Sequence, residues 1–294
     1  EFILKIVFFI QLKWLFECQE KIHSRFKDFT QTYEIEITQA VGHASILARE
    51  AASKHADVRI YAVGGDGTLN EVVNGMAGTH AELGIIPCGS GNDAVRSLYN
   101  TDDPLKLIET LPVSPSVPVD VGQFNNKFFL NIASIGFDAE VVLKTQAFKR
   151  LPFISGSLAY ILGVLSSLVL LKKFKLRIVL DDSPKIEKNF LLSIFANGSY
   201  SGGGMKPAPR AKTNDGILDF YLVDAMPRLR ILKFFPLFRK GKHEALKEVT
   251  LARGSVASIE SDRPFPINID GEVSLATKVA VHLFPASLKV ITPA

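Results

Sequence analysis

The chain is poor in cysteine, with only Cys18 and Cys88 among 294 residues. Two thiols cannot build the disulfide framework of a small secreted scaffold, so a reducing compartment is expected. Cys88 lies in a glycine-rich stretch and reads as a small space-filling residue. The six histidines show no HExxH or comparable spacing, which predicts no zinc site. No G-x-x-x-x-G-K-[ST] occurs, which excludes a P-loop. There is no internal repeat and no low-complexity tract. Charged residues are held to 22% against 47% hydrophobic, which excludes global disorder and supplies a sizeable core. The net charge of +4 suits phosphates or anionic headgroups as readily as an ordinary surface. No nucleic-acid partner is expected.

Long apolar runs are also scarce. Residues 1–16, EFILKIVFFIQLKWLF, imitate a signal peptide, but Glu1, Lys5 and Lys13 argue for a first buried strand instead. Residues 151–171 are long enough to span a bilayer. Pro152 and several Gly and Ser residues interrupt them, and Leu158, Ile161, Leu162, Leu165, Leu168 and Val169 share a helical face. The expectation is a buried or partly lipid-facing helix rather than a span.

What is present begins with alternation. Strand signals at 4–10, 33–37, 58–63 and 83–86 interleave with helix signals at 14–29, 42–55, 68–77, 92–99 and 104–111. This predicts an α/β domain over 1–118, a parallel sheet with helices on both faces. PVSPSVPVD, 112–120, reads as a linker. Short strands with turn signals then predict a mostly antiparallel β-sandwich domain over 119–285. Residues 286–294 are expected to form a further strand that returns to the first domain.

YAVGGDGTLNEVVNG, 61–75, carries the strongest local signal. Gly64, Gly65 and Gly67 allow close approach of another group to the backbone. Thr68 and Glu71 have capping-box spacing, which predicts a helix starting at Thr68. A helix N-terminus suits phosphate. Asp66 would repel a bare phosphate, so its presence implies a divalent cation such as Mg²⁺ between them. LGIIPCGSGNDAVRSL, 83–98, repeats the strand–loop–helix pattern, with Asn92 and Asp93 as natural cap residues. Gly89, Gly91 and Ala94 match G-x-G-x-x-A, but late in the domain and without a ribose-binding acid. Both loops belong at the carboxyl edge of the sheet, where such sheets bind ligands. Later, INIDGEVS offers Asp270 and Glu272 either as a general base and its orienter or as a plain Asp-Gly hairpin. AKTNDGILDF, 211–220, is a turn or a cation site. NGSYSGGGMKPAP, 197–209, is a glycine-rich loop suited to lining a cleft.

GGDGTLNEVVNG, PCGSGND and DGE, in this order, resemble the diacylglycerol kinase catalytic-domain family, and within it the bacterial lipid kinases. TQAVGHASILA and PAPRAKTNDGILDFYLV are also similar, so the resemblance spans about 33–294. GGDGT is shared with nicotinamide-dinucleotide kinases. The Gly-Asn-Asp ending and the late DGE favour the lipid kinases. The resemblance implies ATP-dependent phosphorylation of a lipid hydroxyl, diacylglycerol or a related lipid, with nucleotide in the cleft between two domains. It implies that Gly64, Gly65, Asp66, Gly67, Thr68, Leu69, Asn70 and Glu71 cradle phosphates and that Thr38, Ser90 and Asn92 also meet ATP. Asp66 and Asp93 would engage Mg²⁺, Glu272 would be the base, and Asp270 would support it. The carbonyls of Lys212 and Ile217 and the side chain of Asp215 would match a structural metal site.

The family's Asn-Pro-x-Ser-Gly turn after the first strand is replaced here by FFIQLKWLFE, without Gly or Pro. A nucleotide- or lipid-binding protein without catalysis, and a kinase for a soluble acceptor such as NAD, therefore stay open at this point. The expected partner is a lipid substrate at the membrane surface, met by a cytoplasmic protein peripheral to the inner face. A homodimer is left open. Residues 228–247 mix basic and large apolar side chains and suit either an interfacial helix on anionic lipid or a helix filling the β domain's core.

Overall fold

A computed structural model describes every residue except 1–4, 12–14, 28–31, 55–56, 100, 150, 152–153, 155 and 294. The chain opens with strands β1 (Lys5–Gln11), β2 (Tyr33–Thr38), β3 (Val58–Gly64) and β4 (Glu82–Pro87). Helices α1 (Leu15–Phe26), α2 (His43–Lys54), α3 (Asp66–Met76), α4 (Asp93–Leu98) and α5 (Pro104–Thr110) alternate with them or follow. The strands are parallel in the order β4-β3-β1-β2. β3, VRIYAVG, is buried along its length apart from half-exposed Arg59, as befits a central parallel strand covered on both faces. Helix α1 packs on α5, and α2 on α3. Gly64 pairs with Pro87, and Gln11 with Thr38. Both glycine loops therefore leave the same carboxyl edge.

The second half contains β5 (Ser116–Phe124), β6 (Lys127–Phe129), β7 (Ile132–Gly136), helices α6 (Phe137–Lys149) and α7 (Gly156–Val169), β8 (Phe174–Leu180) and β9 (Ile186–Ala196). It continues through β10 (Leu218–Asp224), α8 (Arg228–Arg239), β11 (Val249–Gly254), β12 (Val256–Ile269) and β13 (Glu272–Ile291). Antiparallel strands run β11-β10-β9-β7-β12-β13, and β8 pairs with both β9 and β12. They enclose a core that includes Phe124, Phe129, Phe190, Phe195, Phe220 and Phe265. β10 shows why its sequence, LDFYLVD, is apolar throughout. Leu218, Phe220 and Leu222 face that core, while Tyr221 and Val223 face Ile231, Phe234 and Phe238 of α8. Successive strand residues point to opposite faces, and here both faces are covered.

β13 joins the two halves. Its first part pairs with β12, and Lys289 and Val290 run parallel to Glu82 and Leu83 of β4. Its last residues also pair with the start of β5.

Several expectations are corrected. Helix α3 begins at Asp66 with Gly65 as its cap residue and no side-chain capping bond. Thr68 and Glu71 therefore form no capping box. Asn92 is likewise a cap residue without a side-chain capping bond. Within 112–120, residues 116–120 already belong to β5, so the linker reading fails there. Its one proline, Pro118, sits near the strand's start, where a missing N–H is tolerated. The turn after β1 falls largely on residues 12–14, outside the described residues. Among the described residues no helix is long and apolar enough to cross a membrane. The apolar stripe of α7 points outward. Leu158, Ile161, Leu165 and Val169 are 43%, 53%, 53% and 66% exposed. In α8 the large residues Ile231, Phe234 and Phe238 fill the core.

Candidate active site

The two glycine loops meet backbone to backbone. Cys88 N–H donates to Gly64 O at 2.8 Å. A Cβ on Gly89 would lie 2.6 Å from Gly65 Cα, and one on Gly91 would lie 2.5 Å from Asp66 Oδ2. A larger residue at 89 would have to move main chain, and one at 91 would displace the Asp66 carboxylate. Asp93 N–H donates to Asp66 Oδ1 at 3.0 Å. Asp66 therefore answers the free N–H groups at the start of α4. Asp93 in turn accepts from Gly203 N–H at 2.8 Å and Gly204 N–H at 2.7 Å. The predicted cleft loop, 197–209, is thus tied to α4 through the residue expected to hold a metal. Burial, then the charge of Asp93, pushes the Asp66 carboxyl above its usual range.

Asp270 approaches from the other half. It sits with Gly271 in the turn between β12 and β13. Ile132 N–H and Leu130 N–H each donate to its carboxylate at 2.9 Å, and Asn70 Nδ2 of α3 donates at 3.4 Å. Burial pushes Asp270 up to about 6 against the pull of those donors. Asn70 and Asp270, both expected in the site, thus link α3 to the β-rich half, beside the bonds that Asn70 and Asn74 make with the main chain of Phe128 in β6.

One cavity of about 300 Å³ joins these groups. At one end lie Asp66, Ser90, Asp93, Asn131, Asn268 and Asp270. The other end is apolar, between α6, α7, α8 and the sheet, with Phe137, Val141, Val164, Leu191, Phe234 and Phe238. A carboxylate-rich pole beside glycine-loop amides suits phosphate with a divalent cation. An apolar chamber opening from it suits hydrocarbon.

Other expected site residues lie elsewhere. Glu71 accepts from Gly42 N–H at 2.8 Å and Ala44 N–H at 3.1 Å. It thus answers main-chain N–H groups at the start of α2. Glu272 is exposed, just beyond the turn, and does not line the cavity. Thr38 is half-buried at the end of β2. Asp215 accepts from Arg253 Nη2 at 2.6 Å, and Arg253 Nε donates to Asp219 Oδ1 at 3.0 Å. Asp215 Oδ1 and Asp219 Oδ2 are buried without a partner. Those free oxygens fit a cation, although among the described residues no cluster of His, Cys, Asp or Glu side chains is built to hold one. Asp138 and Asn268 were not expected. Asp138 follows Gly136 at a strand-to-helix transition, the same glycine-then-acid pattern as in the loop at 64–68.

Residues 16–124 match the diacylglycerol kinase catalytic domain, and residues 131–292 match the YegS C-terminal NAD kinase beta sandwich-like domain. The chain belongs to the diacylglycerol kinase family. As a member it is a lipid kinase. A diacylglycerol kinase of Mycobacterium tuberculosis is 30% identical over 268 residues, spanning 88% of this chain and 84% of its own. A Chromohalobacter salexigens protein assigned as a YegS-like lipid kinase is 32% identical over 264 residues, spanning 88% and 83%. A crystal structure from Bacillus anthracis str. Sterne, assigned to the diacylglycerol kinases, superposes with a TM-score of 0.80 at 26% identity, covering 98% of this chain and 94% of that one. The diacylglycerol kinase fold accounts for both halves: an α/β catalytic domain and a β-sandwich-like partner, joined by β13.

Proposed function

We propose that this lipid kinase transfers the γ-phosphate of Mg-ATP to the hydroxyl of diacylglycerol or a closely related lipid. The observation that carries the reading is the single cavity, acidic between the glycine loops and apolar between α6, α7 and α8. Phosphoryl transfer needs alignment and charge neutralisation more than covalent chemistry. The backbone N–H groups of 64–68 and those of Ser90 and Gly91 would receive the phosphates. Asp66 would hold Mg²⁺, through water, and the ion would offset charge on the transferring phosphoryl group. Asp93, with both oxygens accepting from Gly203 and Gly204, serves first to close the 197–209 loop over α4. Glu272 accepts the acceptor's proton. Asp270 fixes the turn that carries it, through Ile132, Leu130 and Asn70. A structural cation would rest on Asp215 and the carbonyls of Lys212 and Ile217.

The acceptor reaches this site from a membrane surface. The exposed stripe of α7 and Leu229 and Leu232 of α8, 76% and 55% exposed, belong to the helices whose Val164 and Phe235 line the cavity. The expected occupant of that face is anionic lipid, because exposed Lys173 and Lys233 flank it and each basic group near such a surface contributes about 1 kcal/mol. A cytoplasmic location, peripheral to the inner face, goes with this reading. The experiment is direct: labelled ATP and Mg²⁺ with diacylglycerol, monoacylglycerol, sphingosine and NAD, the lipids in mixed micelles. Labelled diacylglycerol product supports the reading. Label only in NAD, or in none, overturns it.

A further inference from the structure

The chain's two cysteines meet in space. Cys18 lies in α1, and Cys88 follows β4 at the head of the second glycine loop. They are 70 residues apart in sequence, yet their Sγ atoms are 3.6 Å from each other. Both are buried in the core that also holds Phe8, Ile22, Val63 and Val95. Both are thiols in this structure.

Cys88 is joined to both glycine loops. Its N–H donates to Gly64 O at 2.8 Å. The next residue, Gly89, packs so closely on the first loop that a Cβ there would lie 2.6 Å from Gly65 Cα. Gly89 N–H donates to Asn92 Oδ1 at 3.0 Å. Ser90 and Gly91, which follow, line the acidic end of the cavity. Cys18 belongs to a helix seated by buried Ile22 and Phe26 and tied to Glu109 of α5 by Lys21 and Arg25. A disulfide holds its sulfurs about 2.05 Å apart. Bonding these two would therefore draw them together by about 1.5 Å. With α1 seated in the core, the movement falls on the loop, where Gly89 has no slack against Gly65.

We propose that Cys18 and Cys88 form a reversible disulfide on oxidation by a peroxide, and that this bond displaces the second glycine loop and weakens phosphate binding. The loss of binding rests on the lipid-kinase reading above, whereas the bond itself does not. Hydrogen peroxide suffices as the oxidant. Cys88, 5% exposed against 2% for Cys18, is reached first. Its sulfur gives up a proton and attacks one peroxide oxygen. The O–O bond breaks, and the departing hydroxide takes that proton and leaves as water. Cys18 sulfur then attacks the Cys88 sulfenic acid. The S–S bond forms, the S–O bond breaks, and the hydroxyl group leaves with the Cys18 proton as a second water. The two thiols lose two electrons, and the peroxide gains them. A dithiol reverses the change by exchange. In a reducing compartment, transient disulfides of this kind serve as sensors.

The test treats the purified, reduced protein with hydrogen peroxide and then removes the oxidant with catalase. Peptide masses should show residues 18 and 88 cross-linked within one chain, and both thiols should be lost to titration in denaturant. Calorimetry should show Mg-ATP affinity lower by about tenfold or more, the scale on which a misplacement of about 1 Å acts. Dithiothreitol should restore thiols and affinity together. Cys18→Ala should bind Mg-ATP normally when reduced and should lack the dithiothreitol-reversible loss after peroxide. Thiols that persist through peroxide, or a cross-link between two molecules, overturn the proposal without needing any variant. So does a cross-link within the chain that leaves Mg-ATP affinity unchanged, or an equal and reversible loss in Cys18→Ala. Reduced protein that binds no Mg-ATP would instead count against the lipid-kinase reading. The cross-link is read by mass without nucleotide, so the two failures are separate.

Discussion

At the scale of single residues, the site separates groups that hold the frame from groups left free to act. Asp270 has both oxygens engaged by main-chain donors, whereas Glu272 is exposed. As the base proposed above, Glu272 gives a direct test: Glu272→Ala should lower turnover by about 10²–10⁴-fold, the usual range for a general base. ATP affinity, read by calorimetry, should change little. Normal turnover in the folded variant would remove Glu272 from the mechanism. Asp66→Asn should weaken binding of Mg-ATP while leaving metal-free nucleotide binding equal or stronger, because a carboxylate helps a phosphate only through a cation. Equal loss with and without Mg²⁺ would reduce Asp66 to a cap for α4. Asp270 also predicts a pH signature. Burial raises its folded pKa to about 6, from the ordinary carboxylate value of 3.8. Its contribution to stability is therefore full below about pH 4 and is lost as pH rises through about 6. The stability gap between the unmodified protein and Asp270→Asn should shrink from pH 4 to pH 7.5 by on the order of 2–3 kcal/mol. A gap that widens over this range would contradict the assignment.

At the scale of elements, α7 is the anomaly. Its sequence, GSLAYILGVLSSLV, has no charged residue, yet its leucine stripe faces outward. Ile161→Asp with Leu165→Asp should sharply reduce sedimentation with anionic vesicles and slow phosphorylation of membrane-presented lipid. Reversal of Arg239, Lys240 and Lys242 to Glu should have the smaller effect, since α8 spends Ile231, Phe234 and Phe238 on the core. Unchanged vesicle binding in the α7 variant would exclude that face. The stripe itself was legible in the sequence, but its direction was not, because periodicity reports which residues share a face and never what covers it. The same limit explains other differences. The glycine loops and the flanking strands were readable because local spelling determines them. The partner of Glu71 lies near residue 43, and that of Asp215 is Arg253. Such pairs arise only when distant elements meet. Asn268 lies between Ile267 and Ile269 near the end of β12, and nothing local marks it as part of a cavity.

At the scale of the whole molecule, both halves depend on the end of the chain. Tyr99 Oη donates to Ile291 O at 2.8 Å, and Ile85 N–H donates to the same hydroxyl at 3.2 Å. Removing residues 288–294 should leave β4 without one partner strand and Tyr99 without its acceptor. We expect insoluble protein or a melting temperature lower by ten degrees or more, roughly the scale of losing a few kcal/mol in a domain of this size. A truncated protein that melts normally would show that the pairing is dispensable. The order of synthesis gives the same geometry another meaning. Strand β4 is made early, and the strand that covers its edge is made long afterwards. Until then the growing chain displays an apolar, unpaired strand edge, the kind of surface on which nascent proteins stick to one another. This kinase should therefore be sensitive to chaperone supply while it is being translated, and indifferent to it once β13 has paired with β4.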